Sequence, residues 1–159
     1  DGGNWYLKDG VLRADSRIKN WNIATITNGL FKNVDVQMKV RFVDYEEDNS
    51  SSISINLGKQ RVYTGREDSG ISFSVYGSGF VRLYDTAKKE NLNGYKHYVE
   101  HVDEWFDMRI KAVNNQITIY INGNELWSGR ADSLENGYLA LQADYANIEI
   151  DDISVRPIS

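Results

Sequence analysis

The amino-acid sequence predicts an all-β fold, a two-sheet antiparallel β-sandwich, and three observations support this prediction. Apolar and polar residues alternate along most segments, and Asn or Gly residues interrupt these segments at short intervals. No stretch shows the 3.6-residue periodicity of a helix. The 159 residues predict a single domain spanning 1–159, which is large enough to bury a core.

The composition narrows the classes of partner. The net charge is −5 and the Lys and Arg residues form no cluster, so nucleic acid is a poor candidate. No apolar run approaches the roughly 20 residues that a membrane span needs. The absence of cysteine excludes disulfides and thiol chemistry but is compatible with secretion. Because the chain opens at Asp1-Gly2-Gly3 without a methionine, we interpret it as a mature domain or an excised module.

A hairpin around the turn Gly77-Ser78-Gly79 is predicted to carry polar and aromatic side chains on one face. If this three-residue turn sets the register, Ser74 lies opposite Arg82 and Ser72 lies opposite Tyr84. The aliphatic positions of the same strands then point to the other side. The side chains expected to share the polar face are Ser72, Ser74, Tyr76, Phe80, Arg82 and Tyr84.

Two later turns predict the register of three further strands. A two-residue Asn114-Asn115 turn pairs Ile110 with Ile119, apolar with apolar. The following Asn122-Gly123 turn, of a kind typical of hairpins, then pairs Ile119 with Leu126. The residues predicted on the opposite face are Arg109, Thr118, Tyr120, Glu125 and Trp127.

The alternation changes phase near the end of the chain. Ile148 and Ile150 share one parity, whereas Ile153 and Val155 take the other. One extra residue at Asp151-Asp152, a β-bulge, would return both pairs to the core.

The only two histidines lie in His97-Tyr98-Val99-Glu100-His101, which matches the H-x-x-E-H pattern of zinc proteases. That pattern requires a helix, where residues four apart share a face. On a strand the same spacing separates the two rings by roughly 13 Å. Since we predict no helix here, we favour two surface histidines over a metalloprotease site.

The segment Glu149-Ile150-Asp151-Asp152-Ile153-Ser154 is close to the acidic motif of laminarinase-type glycoside hydrolases. A retaining mechanism needs a second carboxyl group about 5 Å from the first. Ser154 stands where the second glutamate would be, so this segment does not predict hydrolysis. Asp151 and Asp152 are instead candidate oxygen ligands for a structural calcium ion, with solvation of a turn as the alternative.

A loop that contains Arg61, Tyr63, Arg66, Glu67 and Asp68 offers groups that hydrogen-bond vicinal sugar hydroxyls, although surface loops often have this composition. We leave both interpretations open.

An aromatic face is the feature that most favours a ligand. Tyr76, Tyr84, Tyr120 and Trp127 are predicted on the sides of their strands away from the aliphatic positions, amid Arg82, Arg109 and Glu125. Aromatic rings stack on the C–H faces of sugars, and polar groups bind the hydroxyls. The alternative is that an N-terminal layer with Trp5, Tyr6 and Trp21 covers this face.

The order Trp-Phe-x-x-Arg-Ile, Asn-Gly hairpin, Gly-Tyr-Leu-Ala-Leu and Ile-Asp-Asp-Ile-Ser-Val resembles concanavalin A-like, laminin G-like jelly rolls over residues 70 to 157. Within these, the chain is most similar to carbohydrate-binding modules of bacterial polysaccharide-degrading enzymes, including levan-, xylan- and glucan-binding modules. The resemblance implies a secreted or cell-surface module, linked to a catalytic domain and binding a polysaccharide or oligosaccharide of the xylan, β-glucan or fructan class. It also implies that Asp151 or Asp152 helps to hold a structural calcium.

We therefore predict a binding module without catalysis. Tyr76, Tyr84, Tyr120 and Trp127 are expected to stack on sugar rings, and Arg82, Arg109 and Glu125 to bind hydroxyls. One rival is a small glycosidase or lyase on the same sandwich. The other is a laminin G-like module that binds a protein. The net charge weighs slightly against strongly anionic glycans, but the exposed arginines leave that open.

Overall fold

The computed structural model describes residues 4–62 and 69–158. Within these ranges the chain forms fourteen β-strands and no helix, as the alternation of apolar and polar residues predicted. The strands form two antiparallel sheets, which confirms the predicted sandwich. No helix in the described residues is long and apolar enough to cross a bilayer.

Sheet I has the first described strand at one edge and the last strand near its centre. In spatial order it contains β1 (Asn4–Lys8), β2 (Val11–Ser16), β14 (Ala146–Pro157), β4 (Val34–Tyr45), β10 (Phe106–Val113), β11 (Gln116–Ile121) and β12 (Asn124–Arg130). Because the last strand lies between β2 and β4, the connections cross between sheets, as in a jelly roll.

Sheet II contains the hairpin predicted around Gly77-Ser78-Gly79. In spatial order it contains β3 (Asn22–Phe31), β13 (Gly137–Asp144), β5 (Ser52–Lys59), β6 (Ile71–Tyr76), β7 (Phe80–Asp85) and β8 (Glu90–Asn91), and β9 (Lys96–His97) also pairs with β7.

The core lies between the inner faces of the two sheets. On sheet I the positions Val36, Met38 and Val40 are buried, and on sheet II Ile55 and Phe73 are fully buried. Burial of a side chain of this size contributes about 1.5–3 kcal/mol. In the central strands the inward-facing residues are therefore committed to the core, and the outer faces remain available to a ligand.

The register of the central hairpins confirms the sequence prediction. Ile110 pairs with Ile119 across the Asn114-Asn115 turn, where both residues have positive φ. In sheet II, Ser74 pairs with Arg82 and Ser72 pairs with Tyr84, as the glycine turn required.

The β-bulge predicted near the end of the chain is present, with one difference. The pairing of β14 with β4 shifts between Asp151 and Ser154, and Asp152 has a φ of 50°. After the bulge Val155 packs against the core, as expected. Ile153 is instead 40% exposed, because it lies within the bulge itself, where the strand is rotated.

Candidate functional site

A groove of about 630 Å³ crosses the outer face of sheet II. Its floor consists of small polar side chains on the two central strands β5 and β6. Ser52, Ser54 and Ser74 are almost fully buried there, while Ser72 is more exposed. Because these residues alternate with core positions, the strand period that buries Ile53, Ile55 and Phe73 also produces the polar floor. The sheet II groove is lined by Asn20, Trp21, Asn49, Ser50, Ser52, Ser54, Lys59, Ser72, Ser74, Tyr76, Arg82, Tyr84, Thr86, Lys89, Gln142, Asp144 and Tyr145.

Hydrogen bonds hold the floor in one arrangement. The Ser72 hydroxyl donates to Asn56 Oδ1 over 2.7 Å, and Asn56 Nδ2 donates to Gln142 Oε1 over 3.0 Å. Ser54 and Ser74 share a hydrogen bond of 2.6 Å. The network spans β13, β5 and β6, so a ligand would meet groups that are already oriented.

Among the described residues that line this groove, Asp144 is the acidic one. It accepts hydrogen bonds from the backbone N–H of Trp21, from Gln142 Nε2 and from the Ser52 hydroxyl. Burial nevertheless raises the pKa of its carboxyl group, since desolvation outweighs these donors.

Aromatic side chains stand along one side of the groove. Trp21 is the last residue of the loop between β2 and β3 and is 40% exposed, and Tyr145, in the turn after β13, is 38% exposed. Both have positive φ. The Tyr145 N–H donates to the Lys19 carbonyl over 2.8 Å, which joins the two loops. Two exposed rings held by backbone contacts are a suitable platform for an apolar ligand face.

Arg82, Tyr84 and Tyr76 form the opposite side. The Arg82 guanidinium lies 3.9 Å from the centroid of the Tyr84 ring. Its Nε donates to Asn91 Oδ1 over 2.7 Å, and Nη1 donates to the Tyr76 hydroxyl over 3.3 Å. One face of Tyr84 is thus covered by Arg82, and the ring supports the guanidinium.

The predicted aromatic face is divided between the two sheets, so the expectation of one continuous site is wrong. Tyr76, Arg82 and Tyr84 lie in the sheet II groove. The other four predicted residues are on β10, β11 and β12 of sheet I, across the sandwich: Arg109, Tyr120, Glu125 and Trp127. The alternation of apolar and polar residues correctly predicted which face of its strand most of these residues occupy. It did not indicate which sheet each hairpin joins.

Trp127 also points to the other side of its strand from the one predicted. A register shift between Ile119 and Tyr120 pairs Ile119 with Trp127 rather than with Leu126. The half-buried indole consequently packs against the core. The bulge adds one residue to β12 and reverses the expected parity.

Arg109 already has partners in sheet I. Its Nε and Nη2 donate to the two carboxylate oxygens of Asp35 over 2.9 and 2.7 Å, and its guanidinium lies 4.7 Å from the Tyr120 ring centroid. Arg156 adds a further hydrogen bond to Asp35. These hydrogen bonds, of which those from Arg109 have the larger effect, hold the pKa of the Asp35 carboxyl group below its usual value.

From Asn4 onward, the N-terminal segment does not cover the groove, contrary to the alternative considered from sequence. Trp5 and Tyr6 belong to β1, at the edge of sheet I. Trp5 packs on the core and the Tyr6 hydroxyl donates to Asp15. Only Trp21 of this trio lies at sheet II, where it borders the groove.

The acidic segment that resembled a hydrolase motif lies on the outer face of sheet I. Glu149 Oε1 accepts a 2.6 Å hydrogen bond from Arg41, and Oε2 lies 3.7 Å from Arg13. Glu149 is therefore part of an ion-pair network on the side opposite the groove.

Asp151 and Asp152, the calcium ligands predicted at the bulge, lie next to each other in β14. Asp151 Oδ1 accepts the Asp152 N–H, and Asp151 pairs with Lys39 in the ladder. Calcium takes six to eight oxygen ligands, and no third carboxylate or histidine of the described residues joins these two. The described cluster with metal-ligand spacing is instead His101, Asp103 and Glu104, all exposed.

The two histidines lie on no helix. His97 belongs to the two-residue β9, and His101 is in the loop that follows. This agrees with our preference for surface histidines. Of the predicted sugar-contacting loop, Arg61 is described, whereas Tyr63, Arg66, Glu67 and Asp68 lie outside the described residues.

Trp21, Gln142, Asp144 and Tyr145 were missed as candidate ligand residues. They come from β13 and from two loops that the pairing of β3 with β13 brings together. The available signal was weak. Trp21 ends a mostly polar loop, where a large aromatic side chain is unusual. Only the long-range pairing of β3 with β13 places it beside Asp144.

The sequence and fold can be compared with those of known proteins. The model of the 3-keto-alpha-glucoside-1,2-lyase-like domain family matches residues 1–156, so the chain belongs to this family. No curated protein matches the sequence.

Several solved structures share the fold. The carbohydrate-binding module CBM66 from Bacillus subtilis superposes with a TM-score of 0.76 at 8% identity, over 97% of this chain and 91% of that one. A protein provisionally named a glycosyl hydrolase from Parabacteroides distasonis ATCC 8503 gives 0.74 at 12% identity, covering 100% and 85%. The Ca²⁺-bound exoplasmic/lumenal domain of VIP36 gives 0.74 at 9% identity, covering 99% and 82%. The protein is thus a jelly roll of the kind found in carbohydrate-binding modules, lectins and glycosyl hydrolase-like proteins.

Proposed function

We propose that the sheet II groove binds a polysaccharide or oligosaccharide and that the domain performs no catalysis. The observation that supports this most is the pairing of a rigid polar floor with exposed aromatic rings at Trp21 and Tyr145. Sugars need this combination, because their C–H faces stack on rings while their hydroxyls need hydrogen-bond partners.

The geometry revises the set of proposed contacts. Trp21, Tyr145 and Tyr76 supply ring surfaces, Arg82 supplies donors, and Asp144 supplies acceptors. Tyr84 acts by supporting Arg82. Arg109, Tyr120, Glu125 and Trp127 leave the proposed site, because they lie on sheet I.

Affinity electrophoresis tests this proposal. The domain is run through gels that contain xylan, β-glucan, mannan, levan, inulin or pectin. The variant Ser72→Tyr, whose added ring would cover the groove floor, is run in parallel. Thr118→Tyr is the matched control, since Thr118 lies on the outer face of sheet I opposite Lys111. We expect one or more polymers to retard the parent and Thr118→Tyr but not Ser72→Tyr. Retardation in no gel would contradict the proposal.

A second candidate function is a 1,2-elimination on a 3-keto-glucoside. The family description and the raised pKa of Asp144 favour it, since a carboxylate of raised pKa is a stronger general base. Asp144 would remove the proton from C2, the C1=C2 double bond would form, and the C1–O bond would break. The leaving alcohol would take up a proton. Release of alcohol from a methyl 3-keto-α-glucoside, lost in Asp144→Asn, would establish this function in place of simple binding.

Three further features are proposals that rest on the family resemblance. We propose that the domain acts outside the cell, that it accompanies a catalytic domain, and that calcium binds near Asp151 and Asp152. Calcium is tested by melting the protein with and without chelator. A lower melting temperature in chelator, absent from Asp152→Asn, would support the site.

A further inference from the structure

We propose that the sheet II groove selects a glycan bearing an anionic group, a carboxylate or a sulfate, and that Arg82 is the residue that binds it. This inference rests on the proposed glycan binding and specifies the class of ligand.

The first observation is the distribution of ion pairs. The structure describes eight arginines, and six of them pair with a carboxylate. The paired residues are Arg13, Arg17, Arg41, Arg109, Arg130 and Arg156. Arg61 and Arg82 have no described carboxylate partner, and both lie on the groove side of sheet II, Arg82 in the groove and Arg61 in an adjoining depression.

The second observation is that Arg82 is held in place without being neutralised. Its two hydrogen-bond acceptors, Asn91 Oδ1 and the Tyr76 hydroxyl, are uncharged. The Tyr84 ring supports the guanidinium plane. Both N–H groups of Nη2 and one of Nη1 are left to donate, in the fork that matches a carboxylate or sulfate. An anion would therefore meet an oriented donor and would not have to displace an existing salt bridge.

The third observation is the local charge. Arg82 and Lys89 line the groove, and Asp144 is the one carboxylate among its described lining residues, although the whole protein has a net charge of −5. Positive charge is thus gathered where the ligand is proposed to bind, and its field would attract an acidic glycan.

Matched polymer pairs test the inference. Binding is measured for glucuronoxylan against its carboxyl-reduced form, for polygalacturonate against its methyl ester, and for chondroitin sulfate against its desulfated form. We expect at least one polymer to bind about tenfold more tightly than its counterpart without the tested group, with the difference shrinking as salt rises. Desulfated chondroitin keeps its carboxylates, so the third pair compares polymers with and without sulfate only. The first two pairs report a carboxylate and the third a sulfate.

Variants assign the effect to Arg82. Arg82→Gln should reduce binding of the acidic polymer to the level of the neutral one. Arg82→Lys, which keeps the charge but not the fork, should retain part of the preference. Arg130→Gln is the control, since Arg130 is an exposed arginine of sheet I paired with Asp132.

The outcomes separate this inference from the proposed function. Equal binding of acidic and neutral polymers would overturn the inference and leave glycan binding intact. An acidic preference that survives in folded Arg82→Gln would overturn the assignment to Arg82. Binding of no polymer at all would overturn both.

Discussion

The guanidinium of Arg82 lies 3.9 Å from the ring centroid of Tyr84, and the same kind of pair recurs on the opposite sheet, where Arg109 lies 4.7 Å from Tyr120. The two pairs differ in one respect. Asp35 neutralises Arg109, whereas Arg82 faces the sheet II groove without a carboxylate partner among the described residues. The pair on sheet I is thus a structural ion-pair network, and the pair on sheet II is available to a ligand.

Loss of the supporting ring should weaken ligand binding. We expect Tyr84→Ala to reduce affinity about fivefold for the polysaccharide that retards the domain in electrophoresis. The cation–π contact stabilises the bound orientation of Arg82 by about 1 kcal/mol, and its loss would weaken binding by that amount. Tyr120→Ala removes the equivalent ring from sheet I and should leave affinity unchanged. Titration calorimetry with both variants measures the difference. Equal losses in the two would contradict this role of Tyr84.

Asp35 should contribute to stability in a pH-dependent way. Its side chain is 4% exposed and binds Arg109 and Arg156. Asp35→Asn should cost about 2–3 kcal/mol at pH 7, since it leaves two arginines without their shared partner. The pKa of Asp35 is lowered on folding, so its contribution is complete above about pH 4 and is lost as the pH falls through the folded value.

Urea unfolding at pH 7 and pH 3 measures this effect. The difference between the parent and Asp35→Asn should narrow at the lower pH. Asp132→Asn is the control, since the exposed Asp132–Arg130 pair should contribute less than about 1 kcal/mol. A difference that is independent of pH would contradict the explanation.

Asp144 should show the opposite dependence. Burial raises its pKa on folding, so the folded state binds the proton more readily than the unfolded state does. Stability relative to Asp144→Asn should therefore rise as the pH falls from 7 through the folded pKa. Urea unfolding of the parent and Asp144→Asn between pH 7 and pH 4 measures this difference in stability. If the stability of the parent relative to Asp144→Asn falls as the pH is lowered, the carboxyl group is not desolvated.

Gly77 should be needed for both stability and the shape of the groove. A Cβ there would lie 1.9 Å from the Glu46 carbonyl oxygen, and the Gly77 N–H donates to Ser51, beside groove residues Asn49 and Ser50. We expect Gly77→Ala to cost more than about 2 kcal/mol and to weaken binding, because backbone must move.

Gly123→Ala is the matched control for Gly77→Ala. Its φ is positive, but nothing lies within 4 Å of the added Cβ, so it should cost only about 1 kcal/mol and leave binding intact. Thermal melts and titrations of both variants test the pair. Similar losses from the two substitutions would contradict a specific role for Gly77.

The sequence was informative where local chemistry determines structure. The turn at Asn114-Asn115, the hairpin that opposes Ser74 to Arg82, and the bulge after Asp151 all follow from turn residues and period-two alternation. Each depends on residues close in the chain, for which pattern and geometry agree.

The site was harder to predict, because the order of strands in a sheet depends on residues that are far apart in the sequence. No sequence pattern around Tyr84 or Tyr120 indicates that their hairpins belong to different sheets. Trp127 was misplaced by one bulge residue, and Trp21 reaches the groove only through the pairing of β3 with β13. Alternation gives the side of a strand, but the partner of a strand is determined by packing over the whole chain.

The most direct test of the account compares two tryptophans of equal exposure on opposite faces. Trp21 and Trp105 are each 40% exposed, but Trp21 borders the sheet II groove and Trp105 packs beside Arg41 on sheet I. Titration calorimetry with the retarding polysaccharide should show about a tenfold loss of affinity for Trp21→Ala and none for Trp105→Ala. A loss for Trp105→Ala with unchanged affinity for Trp21→Ala would place the binding site on sheet I and contradict the central claim.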